Sequence, residues 1–212
     1  MKLYGLHPKF VIFLLGGLWS IFLISCSDSD EIAPIATQQI SQADKEALLF
    51  MFEEEKLARD TYLFLGEKWA LNQFLTIKNS EQSHMDAVAN LLVKYGVDYT
   101  ALPVGDFYNS DLQSLYNELI SDGASDVSAA LIVGATIEDL DIVDLQNHIV
   151  QTGNSDIVSV FESLQCGSRN HLRSFVSSLE NIGGTYSPQY LDITTYENIL
   201  ESTHEKCNQQ PN

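Results

Sequence analysis

The stretch Ser80-Glu81-Gln82-Ser83-His84-Met85 decides the architecture. Glu81 and His84 stand three residues apart, so on a helix both side chains leave from one face. Ile77, Val88, Leu91 and Tyr95 continue that face and are apolar. A carboxylate and an imidazole on an otherwise buried stripe need partners, because burying charge without compensation is costly. Glu-x-x-His is also the spacing by which di-iron and di-manganese bundles present one carboxylate and one imidazole to a metal. Four residues make a weak pattern by themselves, so other helices have to supply the remaining ligands.

Three further segments do so. A first helix begins near Ser41, a good N-cap, with the apolar stripe Leu48, Met51, Phe52, Ala58, Tyr62 and Leu65. Glu55 interrupts that stripe, with Arg59 one turn on as an alternative ion-pair partner. Glu53 and Glu54 are expected to point elsewhere, at least partly to solvent. The second helix spans about Asn72 to Tyr95, closed by Gly96. The short link between these two helices predicts an antiparallel hairpin, which brings the mid-helix positions of Glu55 and Glu81 together.

Residues 97–124 contain Pro103, Gly105 and Gly123 and a weak helix, about Asp111 to Ser121, and read as a long crossover. The third bundle helix runs from about Ser125 to Val150. Glu138 breaks its apolar face, and Asp141 lies close enough in angle to reach the same centre. Gly134 and Ala135 allow close approach of a neighbour, while Asp139 and Asp144 are expected to face solvent. Asn154 caps a fourth helix to about Ile182, whose inward stripe includes His171. Arg169 and Arg173 flank that histidine and are expected at the edge of the acid cluster. His148 and His204 are expected off the centre, and a last helix is expected from about Thr194 to Lys206.

The pattern predicts an all-α protein, a four-helix bundle with one long crossover and an extra C-terminal helix, over residues 41–208. The chain of 212 residues carries 29 acidic against 11 basic side chains, a formal charge of −18. Such a surface repels nucleic acid and anionic headgroups, which excludes both as binding partners of the domain.

The N-terminus is separate. Lys2 and Lys9 precede an apolar run from Phe10 to Ile24, the pattern of a secretory signal. Leu23-Ile24-Ser25-Cys26 resembles the bacterial lipobox, which implies a signal peptide over residues 1–25, lipidation of Cys26 and a flexible tether over residues 26–40. The alternative is an uncleaved transmembrane anchor. Both place the domain in the cell envelope, outside the cytoplasm and tethered to a membrane. Cys166 and Cys207 then remain, either as a disulfide or as two separate thiols.

The inward polar set is therefore Glu55, Glu81, His84, Glu138 and His171, with Asp141 beside it. Carboxylate oxygen with some imidazole suits hard divalent cations and ferric iron. Without metal, the buried carboxylates would repel one another and some would protonate. Glu55-Lys-Leu-Ala-Arg59 followed by Tyr62, then Glu81-Gln-Ser-His84, resembles the first- and second-helix motifs of rubrerythrins. Glu138 matches their third-helix glutamate, and the likeness extends to an uncharacterised branch of the ferritin-like superfamily. The resemblance spans roughly Ala43 to Tyr190. It implies two divalent ions, iron or manganese, with Tyr62 as a catalytic neighbour, either a hydrogen-bond donor beside the ligands or a redox-active group. The fourth helix departs from the family pattern: Ser168-Arg-Asn-His171 keeps the histidine but has serine where the family carries glutamate. One metal would then be short of a ligand, bound by water or lost, unless Asp141 supplies the oxygen. No Cys-x-x-Cys pair accompanies the domain, so redox turnover needs an external electron donor.

Three functional readings follow, in order of preference. The first is a dinuclear iron or manganese protein that reduces peroxide or dioxygen. The second is a lipid-anchored binding module with a degenerate single-metal or metal-free site. The third is a purely structural bundle. Self-association as a homodimer is compatible with each.

Overall fold

The computed structural model describes residues 39–207. The expected signal peptide, the lipidation position Cys26 and most of the expected tether lie outside the described residues. Six helices are present among the described residues, with no strand: α1 (Gln42–Trp69), α2 (Asn72–Lys94), α3 (Ser110–Gly123), α4 (Val127–Gln151), α5 (Ser155–Asn181) and α6 (Ile193–Glu201). None of these helices is long and apolar enough to cross a membrane.

Local chemistry sets the helix starts. Ser41 and Asp44 form a reciprocal capping box at α1. Asn109, Asp126, Asn154 and Asp192 each accept backbone N–H groups at the starts of α3, α4, α5 and α6. The second helix ends before Gly96, whose φ of 65° suits glycine. The last helix stops at Glu201, five residues short of the expected Lys206.

Contacts between helices fix their directions. Arg59 bonds Gln82 and Glu55 meets His84, so α1 and α2 are antiparallel. Asp141 meets Ser168 and Gly134 lies against Phe175, so α4 and α5 are antiparallel. Asp44 bonds Thr152 while Tyr62 bonds Glu138, which makes α1 and α4 antiparallel as well. The order is therefore up, down, down, up, and residues 95–126 must travel the length of the bundle between α2 and α4. Gly134 serves close packing as expected: a Cβ there would lie 2.6 Å from the Phe175 ring.

The apolar core divides in two. One cluster includes Leu57, Tyr62, Leu65, Phe74, Leu131, Phe175 and Leu179. The other includes Leu48, Met51, Met85, Val88, Leu145, Phe161 and Leu164. The division falls at residues 53–56 of α1, 81–84 of α2 and 165–171 of α5, with Glu138 and Asp141 at the same level of α4. A layer of buried charge lies there.

Several expected solvent-facing acids are buried. Glu53 accepts the backbone N–H groups of Tyr108 and Asn109, and so holds the crossover to α1. Asp139 is fully buried and accepts from the Tyr186 hydroxyl and from the backbone N–H groups of Gln189, Tyr190 and Leu191. The aromatic loop after α5 folds onto it. Asp144 is half-buried. The correction has one cause in the first two cases: loop backbone donors, invisible to helical periodicity, need acceptors from the bundle.

Candidate metal centre

At the level where the core divides, α1 contributes Glu55, α2 contributes Glu81 and His84, α4 contributes Glu138, and α5 contributes His171. Glu55, Glu81 and Glu138 are each 2% exposed. The Nδ1 atom of His84 lies 2.8 Å from Glu81 Oε2 and 3.2 Å from Glu55 Oε2. The Nδ1 atom of His171 lies 2.8 Å from Glu81 Oε1 and 3.5 Å from Glu138 Oε2. Glu81 thus turns one oxygen to each histidine. The two imidazoles stack with centroids 5.8 Å apart. Two groups result, Glu55–Glu81–His84 and Glu81–Glu138–His171, each with ligand atoms mutually within 4.8 Å and with Glu81 in common.

These contacts are close without being a complete hydrogen-bond network. Glu55 Oε1, Glu81 Oε1 and His171 Nδ1 are buried without a hydrogen-bond partner. His171 Nδ1 and Glu81 Oε1 are 2.8 Å apart yet misaligned for a hydrogen bond. Of the four contacts, the one between His84 and Glu55 is a hydrogen bond. Buried polar atoms without partners are costly, and a cation held by the two groups would satisfy them. The donor set of carboxylate oxygen and imidazole nitrogen fits a hard or borderline divalent ion.

The electrostatics are those of closely packed buried acids and imidazoles. Burial pushes the Glu55 carboxyl up to about 8, against the pull of His84. Burial and the charge of Glu81 raise Glu138. Burial would raise Glu81 too, but His171 and His84 together hold it far below the usual carboxylate range. The imidazoles respond in kind. Burial opposes their charge, yet Glu55 and Glu81 hold His84 well above its ordinary value, and Glu81 and Glu138 push His171 up to about 10. A bound cation would compete with these protons for the same ligand atoms.

Tyr62 is fully buried and donates to Glu138 Oε1 at 2.5 Å, while its hydroxyl also lies 3.3 Å from the Gly134 carbonyl. It is placed to fix Glu138. Asp141 belongs to neither three-residue group. Its Oδ2 accepts from Ser168 Oγ at 2.5 Å, and its Oδ1 has no partner. Ser168 is thus tied to an acid on α4.

Arg59 pairs with Asp60 and Gln82, which leaves aside the alternative ion pair with Glu55. Two expectations about neighbours are corrected. Arg169 and Arg173 turn away from the acid cluster to Glu205, because the segment after α6 brings a carboxylate within 2.6 Å of both. Glu54 is 3% exposed rather than solvent-facing. Burial raises its carboxyl well above the ordinary value, helped by Asp141 and Asp144, and neither oxygen has a donor. Its run of three acids reads as a polar face, but every residue of α1 from Met51 to Ala58 is buried, and Glu54 lies toward Asp141 and Asp144 of α4. His148 packs on Phe50 and Phe161 and His204 is exposed, both apart from the centre. Cys166 and Cys207 are joined as a disulfide, with Cα atoms 5.4 Å apart. It pins the segment after α6, not the helix itself.

The chain is similar to the uncharacterized protein MJ0754 of Methanocaldococcus jannaschii, with 48% identity over 177 residues that span 82% of this chain and 96% of the relative. It is also similar to the crystal structure of hypothetical protein MJ0754 from Methanococcus jannaschii DSM 2661, with a TM-score of 0.78 and 49% identity over 79% of this chain and 97% of that one. A family model described as "Uncharacterized protein domain (DUF2202)" matches residues 44–203, which include every Glu and His of the two ligand groups. The chain belongs to the DUF2202 family, within which it presents Glu and His groups able to hold a metal ion.

Proposed function

We infer that this domain is a ferritin-like, carboxylate-bridged dinuclear metal protein that takes iron or manganese and reduces peroxide or dioxygen. One observation carries the reading: Glu81 divides its two oxygens between two histidines, and each half is completed by its own glutamate. Glu55 and His84 would hold one ion, Glu138 and His171 the other, and Glu81 both. When bound, such a pair of ions supplies reversible one-electron oxidation at each metal. The protein's part is to hold the charge in a dry layer. Tyr62 fixes Glu138 by donating to one oxygen, so that the other faces the centre. The up, down, down, up helix order with a single crossover supports the ferritin-like assignment. Electrons come from an external donor, and the domain works outside the cytoplasm, held to a membrane through Cys26.

A second reading, a binding module with a single ion, is favoured by Ser168. This residue leaves α5 with one ligand and engages Asp141 instead. Metal analysis after reconstitution distinguishes the two. About two equivalents of iron or manganese per chain, lost in Glu81→Ala, support the dinuclear centre. About one equivalent without ferroxidase or peroxidase turnover supports the module. Less than roughly a tenth of an equivalent overturns both.

A further inference from the structure

The centre is open on one side. Its carboxylates are 2% exposed, but the side chains of His84 and His171 are each 12% exposed. Both imidazoles line a cavity of about 690 Å³ between α2 and the segment that follows α6. Ser83 and Ala87 of α2 form one wall, and Gly167 and Asn170 of α5 form the floor. Gly167 is needed there, since a Cβ would lie 2.7 Å from the His84 ring. His204, Glu205, Lys206 and Cys207 form the other wall.

That wall is a strap laid back along α5 and fastened at several points. Arg173 donates to the Thr203 carbonyl at 3.1 Å and to Glu205 Oε1 at 2.6 Å. Arg169 grips Glu205 through Nε and Nη2. Asn170 donates to the Glu205 carbonyl and accepts from its N–H. The Cys166–Cys207 disulfide closes the far end, with Ser163 donating to the Cys207 carbonyl. Cys166 directly precedes Gly167. The covalent fastening therefore lies at the rim of the opening that exposes both histidines.

We propose that this cavity is the vestibule through which small polar molecules of peroxide size reach the metal centre, and that the disulfide-fastened strap sets its width. The proposal rests on the metal-centre reading above. Hydroxyl and amide groups line the vestibule, which suits a ligand that exchanges hydrogen bonds on its way in. The floor ends at the two imidazoles, so a molecule entering here reaches the candidate ligand histidines before the more deeply buried carboxylates. Two fastenings, one covalent and one ionic, make the strap's release a graded response: reduction of the disulfide loosens one end while Glu205 still holds the middle.

The test uses the full chain loaded with manganese. Release of the ion to excess EDTA is followed in four proteins: oxidised wild type, wild type reduced with a phosphine and alkylated, Cys166→Ser/Cys207→Ser, and that variant with Glu205→Gln added. Amide hydrogen exchange over residues 202–207 reports whether the strap is released in each. Release is expected to accelerate about tenfold when the disulfide is absent and further when Glu205 is also changed. The order should track strap exchange, with slow exchange in α1 and α4 preserved. A freed strap with unchanged manganese release overturns the vestibule. A strap that stays protected in the triple variant overturns the fastening. Failure of the oxidised wild type to bind either manganese or iron overturns the metal-centre reading and this one with it.

Discussion

Two sets of charged side chains are buried within two turns of each other on α1, and they differ in one respect. Lys56 and Asp60 are fully buried and completely partnered. Lys56 donates to Asp60 Oδ2 at 2.6 Å and to the carbonyls of Pro103 and Asp106, and its ammonium sits 4.2 Å over the Phe107 ring. Asp60 also accepts from Arg59 and from the Gly105 N–H. Glu55, one residue before Lys56, keeps one oxygen without a partner, as do Glu81 and Asp141. The first set is internally satisfied and fastens the crossover. The second keeps carboxylate oxygens that a bound cation would satisfy. Burial and charge are alike in the two sets; what distinguishes the second is unfilled carboxylate oxygens beside two histidines.

The largest expected effect tests the structural set. Asp60→Ala leaves Lys56 and Arg59 without their carboxylate and should cost about 3–5 kcal/mol. Urea denaturation should give the same loss with and without manganese. A loss that manganese repairs would mean that the two sets are one.

The next effect belongs to the centre. Saturating metal, at about 100 to 1,000 times its dissociation constant, should stabilise the wild type by about 2.7–4.1 kcal/mol. In Glu81→Ala that metal-dependent gain should vanish, since the residue shared by both groups is gone. The same denaturation curves, read with and without metal, check it.

The pH dependence sharpens the contrast. The Glu55 carboxyl rises from 4.5 to about 8 on folding. Between those values the folded state holds a proton that the unfolded state has released, so metal-free stability falls as pH rises. His171 rises from 6.5 to about 10, and its stabilisation is present below 6.5 and lost as pH climbs through 10. Both signs agree, and each group contributes a slope of up to about 1.4 kcal/mol per pH unit in its window. Metal binding runs the other way, because ions displace these protons and bind more tightly as pH rises. Glu55→Gln should flatten the metal-free profile between roughly pH 5 and 8.

The smallest effect is Tyr62→Phe. It removes the hydrogen bond to Glu138 and should cost about 1 kcal/mol in the metal-free protein. A larger loss of metal affinity than of stability would mark Tyr62 as a positioning residue for Glu138.

What was legible in the sequence follows the same division. Glu55, Glu81, His84, Glu138 and His171 each interrupt an apolar stripe of helical period, and their convergence follows from four helices meeting at mid-length. Helix ends were legible where a side chain caps the start, as at Ser41 and Asn154. The satisfied acids were not. Glu53 and Asp139 read as solvent-facing because their partners are loop N–H groups, whose positions depend on how the crossover and the segment after α5 fold back. Arg169 and Arg173 read as neighbours of the acids for a similar reason: Glu205 lies more than thirty residues away and reaches them only through the strap. Asp141 is buried and falls in neither ligand group, and its bond to Ser168 depends on the registry of α4 against α5, which periodicity does not set.

The central claim, that cations complete the buried acid and histidine layer, is tested most directly by anomalous diffraction at the iron and manganese edges on crystals of reconstituted protein. Two peaks are expected, one on each side of Glu81, each beside the Nδ1 atom of one histidine. A map without peaks at either edge, with the carboxylates and imidazoles hydrogen-bonded only to one another, would contradict it.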